Sequence, residues 1–232
     1  ELNKMNKTNK TTYWQNFFLL DKMFNKQLLI NRAKIHKFIF KKIKFDENKS
    51  ILDIGSTAEL NLPHNYLIHA LKDHKKISCI SNQDCTKLKT ICKSLVVFFG
   101  DGRDTKLKDR SFDIVYCSAT IEHVGSKFQQ INLLNECCRL SKKTVIITTP
   151  NRYFPLDFHT KIPFLHFLPK NVHRFFLKVL GLSFFAKEEN LNLLSKKNLL
   201  EFCHNLNIKN YAIYDYKLMG LTSNLILIIN TE

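Results

Sequence analysis

Five short apolar runs separated by helical stretches fill the middle of the chain, and this alternation constrains the fold more than any other feature. The runs are residues 50–54, 77–80, 95–99, 112–117 and 144–148. Strands that alternate with helices form a parallel sheet, because each right-handed crossover returns the chain to the same edge. Two further apolar runs, 211–216 and 224–229, follow near the end. The sequence therefore predicts an α/β, Rossmann-like, doubly wound sheet of seven strands.

The chain has 232 residues, which suits one such domain with two additions. Residues 1–47 are predicted to be an N-terminal helical extension, with two helices within residues 13–44. Their apolar positions are Phe17, Leu20, Phe24, Leu28, Ala33, Phe40 and Ile43. Residues 48–232 form the α/β domain. Within it, residues 151–186 are rich in aromatic side chains and proline, and we expect this insert to cover a substrate site.

A segment with strong helical periodicity closes the insert. Residues 169–181 predict an amphipathic helix. Its apolar positions are Val172, Phe175, Phe176, Val179 and Leu180. The remaining face is basic. Such a stripe predicts a helix that faces the core, and peripheral contact with a membrane interface is the alternative.

The net charge of +16 limits the classes of binding partner to consider. A strongly basic chain can bind nucleic acid, an anionic membrane surface or a phosphorylated substrate. Here the lysines are scattered and no RNA-binding motif accompanies them. We therefore attribute the charge mainly to a composition rich in Lys, Asn, Ile and Phe, and nucleic acid is the weaker expectation. The sequence predicts no oligomeric state.

The seven cysteines indicate the cellular compartment through their expected redox state. Their number is odd, no CxxC pair occurs, and several lie in apolar runs. This usage predicts reduced, mostly buried thiols of a cytoplasmic protein, with neither a disulfide framework nor a metal site. No apolar stretch reaches the ~20 residues that a membrane-spanning helix needs.

Polar and small residues follow the first four strands. In an open α/β sheet, ligands bind outside the carboxyl ends of the strands, where the strand order reverses. The residues expected to converge there are Asp53, Gly55, Ser81, Asn82, Gly100, Asp101, Ser118 and Ala119. The sequence therefore predicts one ligand site at this edge of the sheet.

Three segments, in their order and spacing, resemble the class I S-adenosylmethionine-dependent methyltransferases of the small-molecule type (type 11). They are ILDIGS (51–56), FFGDG (98–102) and SFDIVYCSATIEHVG (111–125). NRYFPLDFHTKIPFLHFLP and GLTSNLILII resemble a subgroup of this family. The resemblance covers residues 48–230. It implies a mostly parallel sheet with an antiparallel last strand, S-adenosylmethionine as cofactor, and methyl transfer to a small-molecule acceptor.

The resemblance also implies roles for the crevice residues. Gly55 would let the loop approach the amino-acid part of the cofactor, and Asp53 would accept hydrogen bonds from its ammonium group or orient the loop. Asp101 matches the position that contacts the adenine amino group. Ser118 and Ala119 would line the floor under the adenosine or the sulfonium. The implied cofactor-binding set is completed by Ser56, Ser81, Asn82 and Gly102.

Two sites depart from the family pattern. The loop that normally carries further glycines has Ser56, Thr57 and Ala58. The acidic residue that binds the ribose hydroxyls after the second strand is replaced by Ser81 or Asn82. A carboxylate forms stronger, charge-assisted hydrogen bonds to hydroxyls than Ser or Asn does. A non-catalytic module that keeps the fold for partner binding is therefore an alternative hypothesis.

Methyl transfer requires a positioned acceptor, and a hydroxyl acceptor also requires a general base. The candidates are His123, beside the fourth strand, and His159 with Asp157 in the insert. As alternatives, Glu122 and His123 cap the following helix, and Asp157 and His159 form a salt bridge or exposed pair in a loop. Asp113 is predicted to have a structural role, in which it holds a turn before its strand.

The aromatic insert favours an apolar, glycosyl or lipid-linked acceptor. The basic charge keeps an RNA methyltransferase as a further hypothesis. The tetrapeptide at the end of the fifth strand is TPNR (149–152), however, and not the NPPY type used on flipped bases. A small molecule is therefore the predicted acceptor.

Overall fold

The structure, a computed structural model, describes the backbone of residues 18–232 and the side chains from residue 24 onward. The polar start of the chain, residues 1–12, lies outside the described residues. The side chains of Phe17 and Leu20, two positions of the predicted N-terminal stripe, also lie outside them. The described part therefore begins inside the predicted helical extension.

One seven-stranded sheet forms the centre of the fold. In chain order its strands are β1 (Ile51–Ile54), β2 (Ile77–Ser81), β3 (Val96–Phe99), β4 (Phe112–Ser118), β5 (Ser141–Pro150), β6 (Tyr211–Leu218) and β7 (Leu221–Asn230). Their spatial order is β3-β2-β1-β4-β5-β7-β6. The first five strands pair in parallel, and β7 is antiparallel to both β5 and β6. This confirms the predicted doubly wound, mostly parallel sheet with an antiparallel last strand.

Five α-helices lie in the described part of the chain. They are α1 (Phe18–Lys42), α2 (Tyr66–Ala70), α3 (Lys127–Leu140), α4 (Lys170–Val179) and α5 (Lys196–Asn205). Short 3₁₀ helices cover residues 86–90, 121–123 and 165–167. Residues 84–94, between β2 and β3, contain only the first of these. Their buried side chains, Cys85, Leu88 and Cys92, pack within one tight crossover between β2 and β3.

The described part of the N-terminal extension forms one long helix, whereas two were predicted. Residues 18–42 contain no Gly or Pro that would end a helix between them. The described positions of the predicted stripe are half-buried, and Phe40 and Ile43 pack against the core. The most buried residues of α1, however, are Asn31, Ile35, His36 and Ile39. The prediction therefore found the buried side of the helix only in part, because two of these residues are polar.

Strand alternation divides the core into two layers. Successive side chains of a strand point to opposite faces of the sheet. Leu52 and Ile54 pack in the layer that contains α3 and α5, whereas Ile51 packs with Ile39 of α1. Asp53 has the same phase as Ile51, and its register partner in β4 is Tyr116. The carboxyl group of Asp53 therefore lies on the α1 face of the sheet.

Helix α4 turns its apolar stripe outward, contrary to the expectation that it faces the core. Its buried residues are His173 and Leu177. In contrast, Phe175 and Val179 are 61% and 67% exposed. The buried pair lies roughly 120° around the helix from the centre of the apolar stripe. The helix therefore packs against the rest of the domain through His173 and Leu177, and the apolar stripe lies at the surface.

Asp113 joins the start of β4 to the residue before β1. Its Oδ2 accepts hydrogen bonds from the Ser50 backbone N at 2.8 Å and from Ser50 Oγ at 2.7 Å. Ser50 Oγ in turn accepts from the Asp113 backbone N at 2.9 Å. Burial alone would raise the pKa of Asp113, but the two donors of Ser50 outweigh it and lower the pKa. The predicted structural role of Asp113 is confirmed, but Asp113 holds Ser50, 63 residues away in the chain, and not a turn before its own strand.

We expect Asp113→Ala to lower the free energy of unfolding by about 1–2 kcal/mol at neutral pH, because Ser50 loses its acceptor. Because the folded state lowers this pKa, the contribution is present above the ordinary value of 3.8 and is lost as pH falls through the folded value. Urea denaturation at neutral and acidic pH measures both effects. Asp73→Ala, at an exposed carboxylate, is the control. A loss that is equal at both pH values would contradict the assignment.

Candidate functional site

A cavity of about 330 Å³ opens at the carboxyl ends of β1 and β4. This is the point where the strand order reverses, because β1 continues outward to β2 and β4 continues outward to β5. Five of the predicted cofactor-binding residues line it: Asp53, Gly55, Ser56, Ser118 and Ala119. The catalytic candidates His123 and His159 line the same cavity. The structure therefore brings the two predicted groups together.

The carboxyl group of Asp53 is the buried charge of this cavity. Asp53 is 6% exposed, and its Oδ2 accepts a hydrogen bond from Ser56 Oγ at 2.7 Å. Burial raises the pKa of Asp53 to about 6, and the Ser56 hydroxyl and the charge of Arg32 offset this rise in part. The ionised carboxylate is therefore destabilised by its surroundings, and a cationic ligand would stabilise it.

Gly55 makes the sharp turn after β1. Its φ is +91°, in the region that favours glycine. Its backbone N donates to the carbonyl of Ile80 at 3.0 Å. A Cβ added at Gly55 would lie 2.3 Å from the side chain of Thr120. The missing Cβ thus allows Thr120 to pack against the turn, a role that the sequence did not indicate.

Side chains from outside the loop hold the segment that lacks the usual glycines. Asn65 Oδ1 accepts from the Thr57 backbone N at 2.9 Å, and its Nδ2 donates to the carbonyls of Thr57 and Glu59. Gln83 Oε1 accepts from the Ala58 backbone N at 3.0 Å. These contacts give the loop one conformation without the backbone freedom of glycine. Sequence reasoning missed Asn65 and Gln83, because neither belongs to a local motif.

The residues predicted to hold the adenosine half lie outside this cavity wall. Both carboxylate oxygens of Asp101 accept from Arg103, at 2.9 and 3.0 Å from Nε and 2.5 Å from Nη2. The Arg103 side chain is the largest cause of the lowered pKa of Asp101. Ser81 Oγ accepts from the Gln83 backbone N. An added Cβ at Gly102 would meet Ile54 Cγ2 at 2.7 Å. The predicted contacts of Ser81, Asn82, Asp101 and Gly102 with adenosine stay predictions.

Two imidazoles meet at the opposite wall. His123 lies in the 3₁₀ helix after β4, and His159 lies in the insert. Their Nε2 atoms are 3.1 Å apart. His123 Nδ1 is 2.6 Å from the carbonyl oxygen of Asn190, and His159 Nδ1 is 3.1 Å from Asp157 Oδ1. Each ring is therefore oriented by an acceptor behind it. The catalytic roles of His123, His159 and Asp157 stay predictions.

The carboxylates of this cluster are almost completely buried. Burial would raise the pKa of Asp157, but hydrogen bonds from His159 and Thr160 outweigh burial and hold the pKa at about 2. Burial would lower the pKa of His159, but the Asp157 carboxylate outweighs it and raises that pKa. The side chains of Asp157 and His159 are 1% and 15% exposed. They form the expected salt bridge, but the pair is not exposed.

Glu122 and His123 do not cap the helix that follows them. The N-cap of α3 is Ser126, whose Oγ accepts from the Gln129 backbone N. Glu122 is fully buried, and its Oε2 accepts from Thr149 Oγ1 at 3.0 Å. The capping alternative is therefore wrong, because the 3₁₀ helix turns Glu122 inward before α3 begins.

Helix α1 adds Arg32 to the cavity wall. Arg32 Nη1 donates to the carbonyl oxygen of Pro63 at 2.6 Å. Burial lowers the pKa of Arg32, and the negative charges nearby, including Glu122 and Asp53, oppose this shift. Sequence reasoning missed Arg32. One arginine among many basic residues of a helix carries no signal until the packing of that helix is known.

Residues 56–148 match a protein-family model whose description is "Methyltransferase domain". The match begins just after β1 and ends within β5, so it includes the turn after Gly55, the end of β4 and α3. A comparison with curated protein sequences gives no match.

Solved structures share the fold over most of this chain. One is a SAM-dependent methyltransferase from Archaeoglobus fulgidus, 14% identical, with a TM-score of 0.57, covering 92% of this chain and 99% of that chain. Another is the magnesium protoporphyrin IX methyltransferase of Synechocystis, 10% identical, with a TM-score of 0.55, covering 88% and 85%. A third, from Methanosarcina mazei, is 14% identical, with a TM-score of 0.54, covering 80% and 93%. These similarities show a common fold.

We expect Asp53→Asn to raise the free energy of unfolding by about 3 kcal/mol at pH 8. The folded state raises the pKa of Asp53 from 3.8 to about 6, so the protonated form is favoured on folding. The wild type therefore loses stability as pH rises from about 4 to 6, and the neutral amide avoids this loss. Urea denaturation from pH 4 to pH 8 measures the difference. The difference in free energy of unfolding between the variant and the wild type should be small at pH 4 and constant above pH 7. A difference independent of pH would contradict the prediction.

Proposed function

We propose that this chain is a class I S-adenosylmethionine-dependent methyltransferase, and that it transfers a methyl group from S-adenosylmethionine to a small molecule held in the cavity between α1, β1 and β4. One observation carries the proposal most directly. A buried carboxylate, Asp53, and a pair of imidazoles, His123 and His159, line the same cavity at the point where the strand order reverses. The Asp53 carboxylate can bind a cation, and the two imidazoles can act on an acceptor.

The residues present fit the amino-acid and sulfonium end of the cofactor. Its ammonium and sulfonium groups are positive, and the ionised Asp53 carboxylate is disfavoured by burial. A cationic ligand would complete the partners of this carboxylate. Ser118 Oγ, which shares a hydrogen bond with Thr148 Oγ1 at 2.7 Å, lies at the floor of the same cavity. Asp53, Gly55, Ser56, Ser118 and Ala119 are therefore the residues proposed to hold this end.

The adenosine end has a weaker set of partners. Ser81 and Asn82 replace the usual acidic residue, so the ribose hydroxyls would accept and donate neutral hydrogen bonds only. The Asp101 side chain is shared with Arg103. We therefore propose that the affinity for the cofactor comes mainly from the amino-acid end.

When bound, S-adenosylmethionine supplies a methyl group that is already activated. The remaining task of the chain is to hold the acceptor in line with that methyl group and to keep water out. Arg32 of α1 and Phe158 of the insert close the cavity on the acceptor side. His123 and His159 face the same space and would assist the loss of the acceptor proton.

The lining of the cavity supports an acceptor with both apolar and oxygen-rich parts. Leu28, Ile35 and Phe158 provide apolar surface, whereas Arg32 and the imidazole pair provide polar contacts. We propose a glycosyl or lipid-linked hydroxyl compound as the acceptor class. A non-catalytic binding module is the alternative that the experiment below distinguishes.

Calorimetric titration with S-adenosylmethionine and S-adenosylhomocysteine tests the cofactor. We expect binding by the wild type and a loss of roughly 10- to 100-fold in affinity for S-adenosylmethionine in Asp53→Asn, because one charge-assisted hydrogen bond is removed. Asp101→Asn is the matched comparison, and its loss should be smaller. Affinity should also fall as pH drops below about 6, where Asp53 becomes protonated.

The same titration can contradict the proposal. A folded wild type that binds neither ligand would support the non-catalytic module. Binding that Asp101→Asn abolishes and Asp53→Asn leaves unchanged would move the site of affinity to the adenosine end.

A further inference from the structure

The two imidazoles that meet in the cavity have an unusual hydrogen-bond arrangement. His123 Nδ1 faces a backbone carbonyl, which only accepts, and His159 Nδ1 faces the Asp157 carboxylate. Both Nδ1 atoms must therefore carry the proton. When both rings are neutral, each Nε2 has a lone pair, and the two Nε2 atoms are only 3.1 Å apart. Two facing lone pairs repel, so a positively charged species must lie between or beside them.

A carboxylate oxygen completes this cluster. Glu122 Oε1 is buried and has no hydrogen-bond partner among the described residues. It lies 3.9 Å from His159 Nε2. The other carboxylate oxygen, Glu122 Oε2, accepts a hydrogen bond from Thr149 Oγ1. One ligand atom from each of Glu122, His123 and His159 lies within 4.8 Å of the others. An unpartnered buried oxygen beside two imidazole lone pairs is the donor set of a metal site.

We propose that Glu122, His123 and His159 bind one divalent first-row transition-metal ion. Two nitrogens 3.1 Å apart subtend about 95–100° at an ion that lies about 2.0–2.1 Å from each. The 3.9 Å from Glu122 Oε1 to His159 Nε2 is also within the span of two such bonds. Two imidazoles and one carboxylate suit zinc, iron, cobalt or manganese better than calcium or magnesium.

The groups behind the imidazoles support a metal site. Metal-binding histidines usually donate their second N–H to a carboxylate or a carbonyl, which fixes the ring and raises its basicity. Asp157 does this for His159, and the carbonyl of Asn190 does it for His123. Asp157 is thus a positioning residue here. The sequence predicted no metal site, because the ligands come from two segments about 35 residues apart in the chain.

The two histidines reach the cavity surface, so the remaining coordination positions of the ion face the cavity. Three protein ligands leave room for oxygen atoms of a bound molecule. With the ion bound, the two imidazoles would assist loss of the acceptor proton by holding the ion next to the hydroxyl oxygen, and not as free bases. An acceptor with two neighbouring hydroxyl groups, or with a hydroxyl beside a carboxylate, is the ligand class that fits. This assignment of the ligand rests on the proposed function, whereas the metal site itself does not.

Metal titration of the full chain tests the site. After treatment with a chelator, the protein is titrated with zinc, manganese and cobalt salts by calorimetry, and the visible absorbance of bound cobalt is recorded. We expect one ion per chain. The affinity should fall at least tenfold in His159→Ala and in Glu122→Gln. His204→Ala, at an exposed histidine of α5, is the control and should bind as the wild type does.

The variants are checked for folding by thermal unfolding, and Glu122→Gln keeps the shape of the side chain if His159→Ala does not fold. A folded wild type without a bound ion, or a folded Glu122→Gln with unchanged affinity, would overturn the proposal. The charge between the imidazoles would then be a proton. Metal binding is measured without S-adenosylmethionine, so a failure of the metal site and a failure of the proposed function give different results.

The outward stripe of α4 is a separate feature. It consists of Val172, Phe175, Phe176, Val179 and Leu180, which we call the α4 patch. Each of these side chains is between 41% and 67% exposed. The helix carries Lys170, Arg174 and Lys178 and no acidic residue. The basic residues lie on the side of the helix opposite to the stripe. Lys170 donates to Asn192 Oδ1 at 2.7 Å and Arg174 pairs with Glu188 at 3.2 Å, whereas Lys178 is exposed. An apolar side with basic residues opposite to it is the pattern of helices that lie in a membrane interface.

We propose that the α4 patch inserts into the interface of an anionic bilayer. Two aromatic rings, Phe175 and Phe176, would enter the acyl boundary while the exposed Lys178 reaches the headgroups. The net charge of +16 favours the same surface. No helix among the described residues is long and apolar enough to span a membrane.

Co-sedimentation with vesicles tests the α4 patch. Vesicles of phosphatidylcholine, with and without phosphatidylserine, are mixed with the wild type, with Phe175→Ser/Phe176→Ser and with Phe99→Ser/Phe128→Ser. Phe99 and Phe128 are 78% and 67% exposed and match the patch residues in size. We expect tighter binding of the wild type to the anionic vesicles, a loss of at least tenfold in the first variant, and no change in the second.

Absence of vesicle binding by the wild type would overturn this second proposal. An equal loss in both double variants would do the same, because it would show no special role for α4. Sedimentation velocity of the same proteins addresses a second copy of the chain as the occupant. A dimer that Phe175→Ser/Phe176→Ser abolishes, without vesicle binding, would make the patch a self-interface instead.

Discussion

The pairing of β1 between β2 and β4 is the constraint on which the rest of the site depends. Its register places Asp53 beside Cys79 on one side and Tyr116 on the other. Because parallel strands end at the same edge, this pairing brings the turn at Gly55 and the end of β4 together. Strand alternation then decides that Asp53 lies on the α1 face. The cavity, and the charge of Arg32 near Asp53, both follow from that side of the sheet.

This arrangement buries charged groups on the α1 face, and their burial lowers the stability of the folded chain. Burial disfavours the ionised forms of both Asp53 and Arg32. Nearby, Glu122 is fully buried with one oxygen unpartnered. Such groups destabilise a folded chain unless a ligand completes their partners. A protein that retains them at the edge of its sheet sacrifices stability for binding, which is the usual trade at functional sites.

The insert of residues 151–186 faces in two directions. Its first part supplies Phe158 and His159 to the cavity, and the ring of Phe158 lies 5.9 Å from that of Phe24 in α1. Its last part presents the α4 patch to the surface. The two proposals for this insert agree on a lipid-linked acceptor, because the apolar part of such a molecule could stay in the bilayer while its polar head reaches the cavity.

The sequence by itself determined the seven strands and their alternation with helices. Both depend on patterns within a few residues, which local backbone preferences and burial are enough to specify. The family resemblance identified the residues of the cavity only in part: Asp53 and Gly55 line the cavity, whereas Asp101 pairs with Arg103.

Only the tertiary structure decided which side of α1 and α4 is buried, that Arg32 enters the cavity, and that His123 meets His159. These facts depend on which elements pack against each other over long separations in the chain. A helical stripe does not say what covers it, and a histidine in one loop does not identify its neighbour from another. The physical reason is that such contacts are set by the packing of whole elements, and no local stretch of sequence encodes that packing.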